Sequence, residues 1–146
     1  MYLLDTDTFS LALHGEPRLI ARLEQTPPET VWLSVVAAEE VLHGALAEVN
    51  KERKRPAGDR ICLAYDFVVT ALTQIGRCRL LPYDPAAHRL YQSWPASVKR
   101  VGPQDCRIAA CAIVHGLIVV TRNRRDYAQI PGARFEDWTV PETPSQ

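Results

Sequence analysis

The chain opens with an apolar run that ends in an acid: Met1-Tyr2-Leu3-Leu4-Asp5-Thr6-Asp7-Thr8. A short continuous apolar run is the pattern of a buried strand. Thr and Asp are favoured helix N-caps, so a helix is expected to start near Thr6 or Asp7. Asp5 is thereby placed at the carboxyl end of a strand, at a strand-to-helix turn. That edge is where open α/β sheets bind their ligands. Any further carboxylate arriving there makes Asp5 part of a site.

The rest of the chain alternates in the same way. Phe9 to His14 continues the first helix, which stops at Gly15, and Glu16-Pro17 starts another that carries Leu19, Ile20 and Leu23 and ends before Pro27-Pro28. Val31-Trp32-Leu33 reads as a second strand, and Ser34 caps a helix reaching about Asn50. A charged loop from Lys51 to Gly58 follows. A long helix is predicted from about Asp59 to Gly76, with an apolar stripe at Ile61, Tyr65, Val68, Leu72 and Ile75. Arg79 to Pro82 is the third strand, and Asp84-Pro85 opens a helix to about Arg100. Gly102-Pro103 breaks the chain, and Asp105 to His115 is helical again, ended by Gly116. Leu117 to Thr121 is the clearest strand; a short turn or helix follows from Asn123, and Phe135 lies in a last strand. Strands alternating with helices imply an α/β/α three-layer fold around a parallel sheet of four to five short strands. One domain over residues 1–138 is expected, with a loose Pro-rich tail at 139–146.

Composition narrows the partners. The 146 residues carry 17 basic and 17 acidic side chains, so any nucleic-acid surface must be a local patch. No apolar run approaches the ~20 residues of a membrane span, and no signal peptide is visible, which favours the cytoplasm. Cys62, Cys78, Cys106 and Cys111 fit no zinc spacing and are read as reduced core thiols. Trp32 and Trp94 are read as core residues, and the four histidines are assigned no chemistry.

Four carboxylates are candidates for the edge that Asp5 marks. Glu40 lies six residues beyond Ser34, about one and a half turns into its helix. Asp105 opens the helix containing Cys106 to Ala110, and Asp126 follows the strand that ends at Thr121. Each has a plainer alternative. Asp5 is also a cap residue, Asp105 suits the positive end of a helix dipole, and Asp126 stands in a cap arrangement with Asn123. Glu40 lies opposite an apolar stripe of Val35, Ala38, Leu42, Ala45, Leu46 and Val49, as a solvated Glu would. Its own face, with Val36, Ala37, Gly44 and Ala47, is small and apolar for one bathed in water. Like charges held together repel and raise one another's pKa unless a cation offsets them. Oxygen-only ligands favour a hard ion, Mg²⁺ or Mn²⁺.

Taken in order, these motifs resemble the PIN domain, and within it the VapC-type toxin ribonucleases of toxin–antitoxin pairs. The family's opening strand and turn are matched by Leu4-Asp5-Thr6-Asp7. Its Ser, Glu and Gly spacing is matched by Ser34, Glu40 and Gly44, and its Asp leading into an Ile-Ala-Ala run by Asp105 and Ile108-Ala109-Ala110. The closing motifs are Thr121-Arg122-Asn123, Asp126-Tyr127, Ile130-Pro131-Gly132 and Glu136-Asp137-Trp138. Asp7 stands where Asn is common and Ala37 where Thr is common. The resemblance covers Tyr2 to Trp138. It implies Asp5, Glu40, Asp105 and Asp126 as a catalytic, metal-holding quartet for Mg²⁺ or Mn²⁺, with Thr6, Asp7, Thr121 and Asn123 orienting them. It further implies an RNA substrate, a cognate antitoxin whose peptide occupies a groove, and a homodimer, for which Leu42, Leu46 and Val49 suit the interface. Arg122, Arg124 and Arg125 are the candidates for RNA phosphates.

Two alternatives stay open at this point. Haloacid-dehalogenase-type phosphatases begin with the same strand and Asp-x-Asp turn, with Asp5 then a covalent nucleophile and Asp7 a general acid. Against that, a suitably placed Lys and a later paired-acid motif are missing. The other is a PIN-like module that binds RNA or a partner without cleaving.

Overall fold

The computed structural model describes residues 1–55 and 58–141. The chain order is β1 (Tyr2–Leu4), α1 (Thr6–Leu13), α2 (Pro17–Gln25), a 3₁₀ turn (Pro28–Thr30), β2 (Val31–Ser34), α3 (Val35–Arg53), α4 (Arg60–Arg77), β3 (Arg79–Leu81), α5 (Pro85–Ser93), α6 (Ala96–Lys99), α7 (Pro103–His115), β4 (Ile118–Val120), α8 (Arg124–Tyr127) and β5 (Phe135–Glu136). All five strands pair in parallel, in the order β3-β2-β1-β4-β5. Parallel strands need crossover connections, and here helices supply most of them.

The order of the strands decides where a ligand can sit. From β1 the chain steps outward through β2 to β3. It then returns past β1 to lay down β4 and β5 on the other side. Where the direction reverses, the loops after β1 and β4 leave in opposite directions and a crevice opens at the carboxyl ends. The register puts Leu4 opposite both Leu33 and Val120. Asp5, Ser34 and Thr121 therefore stand in one row at the end of the sheet.

Short strands hold because both faces are covered. Leu3, Leu33 and Val119 have no exposed surface, and Cys106 and Ile108 to Ala112 of α7 pack into the same core as Phe9, Leu19, Val36 and Val41. At about 25 cal/mol per Å² of apolar surface, burying one such Leu contributes ~1.5–3 kcal/mol.

Several expectations need correction. The helix after Ser34 continues past Asn50 to Arg53, because Glu52 is buried and pairs with Arg55 at 3.1 Å instead of entering a loop. The part of the expected charged loop at Pro56-Ala57 lies outside the described residues. On α4 the buried positions are Ala64, Ala71 and Ile75, whereas Tyr65 and Leu72 are exposed. Small residues let α3 and α4 approach closely, so the contact falls on alanines and not on the bulkiest apolar stripe. On α3, too, Val35 and Leu46 point outward, while Ala37, Ala38, Val41, Ala45 and Val49 are buried. Val49 is thus core, not interface. The single helix expected to Arg100 is two, since Pro95 lacks an N–H and holds Trp94 extended with its ring buried. Cys106 and Cys111 are buried but Cys62 is exposed, and all four are free thiols. Trp32 is only half-buried, with the Arg79 guanidinium 4.1 Å from its ring centre. The expected loose tail lies outside the described residues from 142 onward. Before that, Thr139 is held by the Asp137 carboxylate and by Arg18.

Leu33 lies on β2, between β1 and β3, and is fully buried. Leu33→Ala is expected to cost about 2–5 kcal/mol in urea unfolding followed by circular dichroism. A loss below about 1 kcal/mol would contradict the packing described.

Candidate active site

Asp5 is the N-cap of α1, and its Oδ1 accepts the Thr8 backbone N–H at 2.8 Å. An ordinary cap faces water, but Asp5 is only 3% exposed. Burial pushes its carboxyl above the usual carboxylate range, against the hydrogen bonds from Thr121 and Thr8 that favour the charged form; the Asp7 charge adds to the rise. The Thr8 hydroxyl donates to the Val120 carbonyl at 2.9 Å, and Asp5 N–H donates to the same carbonyl at 3.3 Å. One residue thus ties the start of α1 to the end of β4 and fixes the Asp5 carboxylate between them.

The other acids come from three separate elements. Ser34, fully buried, caps α3 by accepting the Val36 N–H at 3.2 Å. Glu40 follows on the half-buried margin of that helix, and its Oε2 accepts a short hydrogen bond from the Thr6 hydroxyl. This margin adjoins the buried Val36, Ala37 and Val41, so Glu40 is not the fully solvated residue that periodicity suggested. Gly102 starts α7 at φ +143°, a conformation L side chains rarely adopt, and so aims the first turn, with Asp105, back at the sheet. Asp126 lies in α8. The Asn123 amide donates to Asp126 Oδ2 at 2.8 Å and to Asp105 Oδ2 at 3.4 Å, bridging the two. The Thr121 hydroxyl accepts the Asn123 N–H at 2.9 Å and so orients that bridge.

These groups form one electrostatic unit. The Asp105 carboxyl is pushed up to about 6, first by burial, then by the charges of Asp5 and Glu40; the Asn123 hydrogen bond opposes this, and Asp126 adds to the rise. Among the described residues, no three His, Cys, Asp or Glu side chains close into a preformed metal cage. The quartet is gathered as a charged group, not as a finished coordination sphere. Thr6, Thr121 and Asn123 all touch it. Asp7 does so only through its charge: it is half-exposed and pairs with Arg122 Nε at 2.8 Å. Arg124 and Arg125 are exposed on the same turn.

Sequence reasoning passed over two residues. Thr8 is buried at the junction of β4 and α1, and only its place three after Asp5 hinted at it. Tyr127 is fully buried, and its hydroxyl has no hydrogen-bond partner among the described residues. In sequence it was visible only as an aromatic after an acid.

Fold and site together define an α/β protein with an acidic cluster at the reversal point of a parallel sheet. A family model described as the PIN domain matches residues 2–133. The chain belongs to the PIN domain family. It is 30% identical, over 94% of its own length and 97% of the relative's, to the tRNA(fMet)-specific endonuclease VapC of Salmonella typhimurium. It is 28% identical to Toxin FitB of Neisseria gonorrhoeae, over 94% of this chain and 99% of that one. Among solved structures, DNA-bound VapBC from Salmonella typhimurium superposes with a TM-score of 0.74 and 29% identity, covering 94% of this chain and 97% of that chain. The phosphatase alternative falls with the family match and with Asp7 held outward by Arg122.

The Asp105 environment makes a pH-dependent prediction. Its proton is held more tightly in the folded chain than at the ordinary value of 3.8. The folded state therefore binds more protons than the unfolded one between these values. This group favours folding increasingly as pH falls through the window from about 6, and works against folding above it. In EDTA, Asp105→Asn is expected to raise Tm at neutral and mildly alkaline pH, by an amount that shrinks as pH drops below 6. An unchanged or lower Tm at neutral pH would show that burial and the neighbouring charges do not penalise the ionised Asp105 carboxyl as described.

Proposed function

We propose that this chain is a Mg²⁺- or Mn²⁺-dependent endoribonuclease, acting in the cytoplasm as the toxin of a toxin–antitoxin pair over one 1–138 unit. The observation that supports the reading best is the gathering of four acids from separate elements at the end of the sheet, with Thr6 on Glu40 and Asn123 bridging Asp105 and Asp126; burial first, and then the charges of Asp5, Glu40 and Asp126, raise the Asp105 carboxyl to about 6. Among relatives it is supported by the tRNA(fMet)-specific endonuclease VapC of Salmonella typhimurium at 30% identity.

The donor set fits a hard divalent cation: it is all carboxylate oxygen, and its charges oppose one another. An open arrangement suits Mg²⁺, which usually takes one or two protein carboxylates and keeps several waters. Asp5, Glu40 and Asp105 would hold it, with Asp126 in support. When bound, such an ion lowers the pKa of water and stabilises the negative charge of a phosphodiester under attack.

The chain's own residues then have separate tasks. Thr8 and Thr121 fix Asp5. Thr6 holds Glu40 Oε2, and the Asn123 amide holds Asp105 Oδ2 and Asp126 Oδ2 at a set spacing. Because these bonds are already made, the carboxylates need no reorganisation as charge develops. Arg122, Arg124 and Arg125 stand at the rim, where they bind RNA phosphates on either side of the scissile bond. Hydrolysis places a water oxygen on phosphorus, breaks one bridging P–O bond and passes a proton to the leaving oxygen. Single-stranded loops are the form of RNA whose bases can be read.

Two surfaces suit the expected protein partners. A groove of about 720 Å³ runs between α1, α2, β2 and α4, lined by Phe9, Leu13, Ile20, Leu23 and Trp32 with Arg77 and Arg79 among its polar residues. It would take an apolar antitoxin segment carrying acidic side chains. Exposed Val35, Leu46 and Leu80 join Leu42 in a shallow apolar patch that suits a second copy of the chain. Among the described residues no helix is long and apolar enough to cross a membrane.

Purified protein, freed of any co-purifying partner, should cleave a mixed RNA pool in Mn²⁺ and not in EDTA. Asp5→Asn should lose more than the roughly 10–100-fold that removing an outer hydrogen-bond partner of a metal ligand costs. Equal cleavage by both proteins would reject the acidic site, and metal-independent cleavage would reject the cation. Each Arg→Ala change at 122, 124 or 125 should flatten the dependence of log K on log salt by roughly 0.7 on single-stranded RNA. Leu46→Glu should give a monomer by light scattering; an unchanged assembly would place the interface elsewhere.

A further inference from the structure

The ion pair between Asp7 and Arg122 has a one-sided geometry. Arg122 Nε donates to Asp7 Oδ2 at 2.8 Å. Both Nη groups of Arg122 are without a hydrogen-bond partner among the described residues. Arginine and a carboxylate frequently pair bidentately, through two parallel N–H···O bonds. Asp7 takes a single bond from the side and leaves the end of the fork open. Both side chains are about half-exposed, where an ion pair adds little to stability.

The pair stands on a fixed base. Asp7 lies between Thr6, whose hydroxyl donates to Glu40, and Thr8, whose hydroxyl donates to the Val120 carbonyl at 2.9 Å. The Asp5 N–H donates to the same carbonyl at 3.3 Å. Arg122 lies between Thr121, which is buried, and Asn123, whose amide bridges Asp105 and Asp126. The backbones at both ends of the pair are thus held by bonds beneath it. The pair itself crosses from the β1 side of the crevice to the β4 side, and the neighbours of both partners touch the acids. A long side chain that a ligand must order on binding weakens that binding. Held by its Nε, the Arg122 guanidinium is ordered before a ligand arrives, and a planar fork of two Nη groups matches two oxygens of a phosphate.

We propose that Asp7 is a positioning residue for RNA binding: it fixes the Arg122 side chain through Nε, so that the two Nη groups meet a backbone phosphate as a preformed fork. The inference rests on the reading of this rim as the RNA-binding face. Asp7 touches neither the RNA nor the reacting atoms, and acts through Arg122. Its charge works in the opposite sense, because a carboxylate repels a phosphate. Variants that separate the two effects must therefore carry equal charge.

Asp7→Asn and Asp7→Ala remove the same charge, but only Asn keeps an oxygen that accepts the Nε–H. Each is made in the parent and in Arg122→Ala. Binding of a fluorescein-labelled single-stranded RNA of mixed sequence is measured by anisotropy, in EDTA and at low salt. Asp7→Asn is expected to bind about 2–10-fold more tightly than Asp7→Ala, the fold-change that ordering one such side chain is worth. In the Arg122→Ala background the two are expected to bind alike. Equal binding with Arg122 present would overturn the proposal, since Asp7 would then act by its charge alone. A difference that persists without Arg122 would also overturn it, since Asp7 would act by another route. If the parent binds no RNA, or Arg122→Ala binds as tightly as the parent, the rim reading itself fails, and the role of Asp7 with it.

Discussion

The burial of one carboxylate, Asp5, is the constraint on which the structure depends. Removing an ionised carboxyl from water is costly unless its oxygens are bonded and its charge is offset. Here the Thr8 N–H, the Thr121 hydroxyl and the positive end of α1 share that task. Each comes from the end of β4 or the start of α1, so the carboxylate is satisfied only when those two elements stand side by side. The Thr8 hydroxyl, bonded to Val120, locks them there. Stability and function are set against each other at this point. Burial raises the pKa of Asp5, and Asp105 is raised by its own burial and then by the charges of Asp5 and Glu40.

Topology turns this local problem into a site. A sheet in which β1 lay at an edge would present Asp5 to a single neighbour. With β2 and β4 on either side, the loops after β1 and β4 separate, and α3 and α7, from two different crossovers, bring in Glu40 and Asp105. No two of the four acids lie on the same helix. Each is oriented by a neutral group, Thr6, Thr8, Thr121 or Asn123. Neutral donors fix a carboxylate without cancelling the charge that a cation needs, whereas an arginine in their place would compete with it. The arginines are kept at the rim, and Arg122 is there paired with Asp7.

The fold and the acids were largely legible in the sequence, and the reasons are local. Leu3-Leu4-Asp5 and Val119-Val120-Thr121 mark strands by their run and their polar ends, and Ser34, Gly116 and Pro103 punctuate the helices. The faces of the long helices were less legible. Hydropathy ranks Leu72 and Leu46 above Ala71 and Ala45, yet the alanines are buried and the leucines exposed. Glu40 was ambiguous for the same reason: its helix margin is decided by what lies across from it. Glu52 looked like part of a solvated charge run, and only its contact with Arg55 and the packing of the last turn of α3 show otherwise.

The sequence by itself determined the order of strands and helices, the acid ending the first strand, and, through the ordered set of motifs, the family. These depend on nearest-neighbour preferences and on spacing, which a linear chain records. Only the tertiary structure decided that burial and the charges of Asp5, Glu40 and Asp126 raise the Asp105 carboxyl, that Asn123 bridges Asp105 and Asp126, that Asp7 pairs with Arg122, and that the Tyr127 hydroxyl is buried without a partner among the described residues. Charge interaction and burial depend on distances between residues more than a hundred positions apart in sequence, and those distances exist only once the sheet has closed around β1.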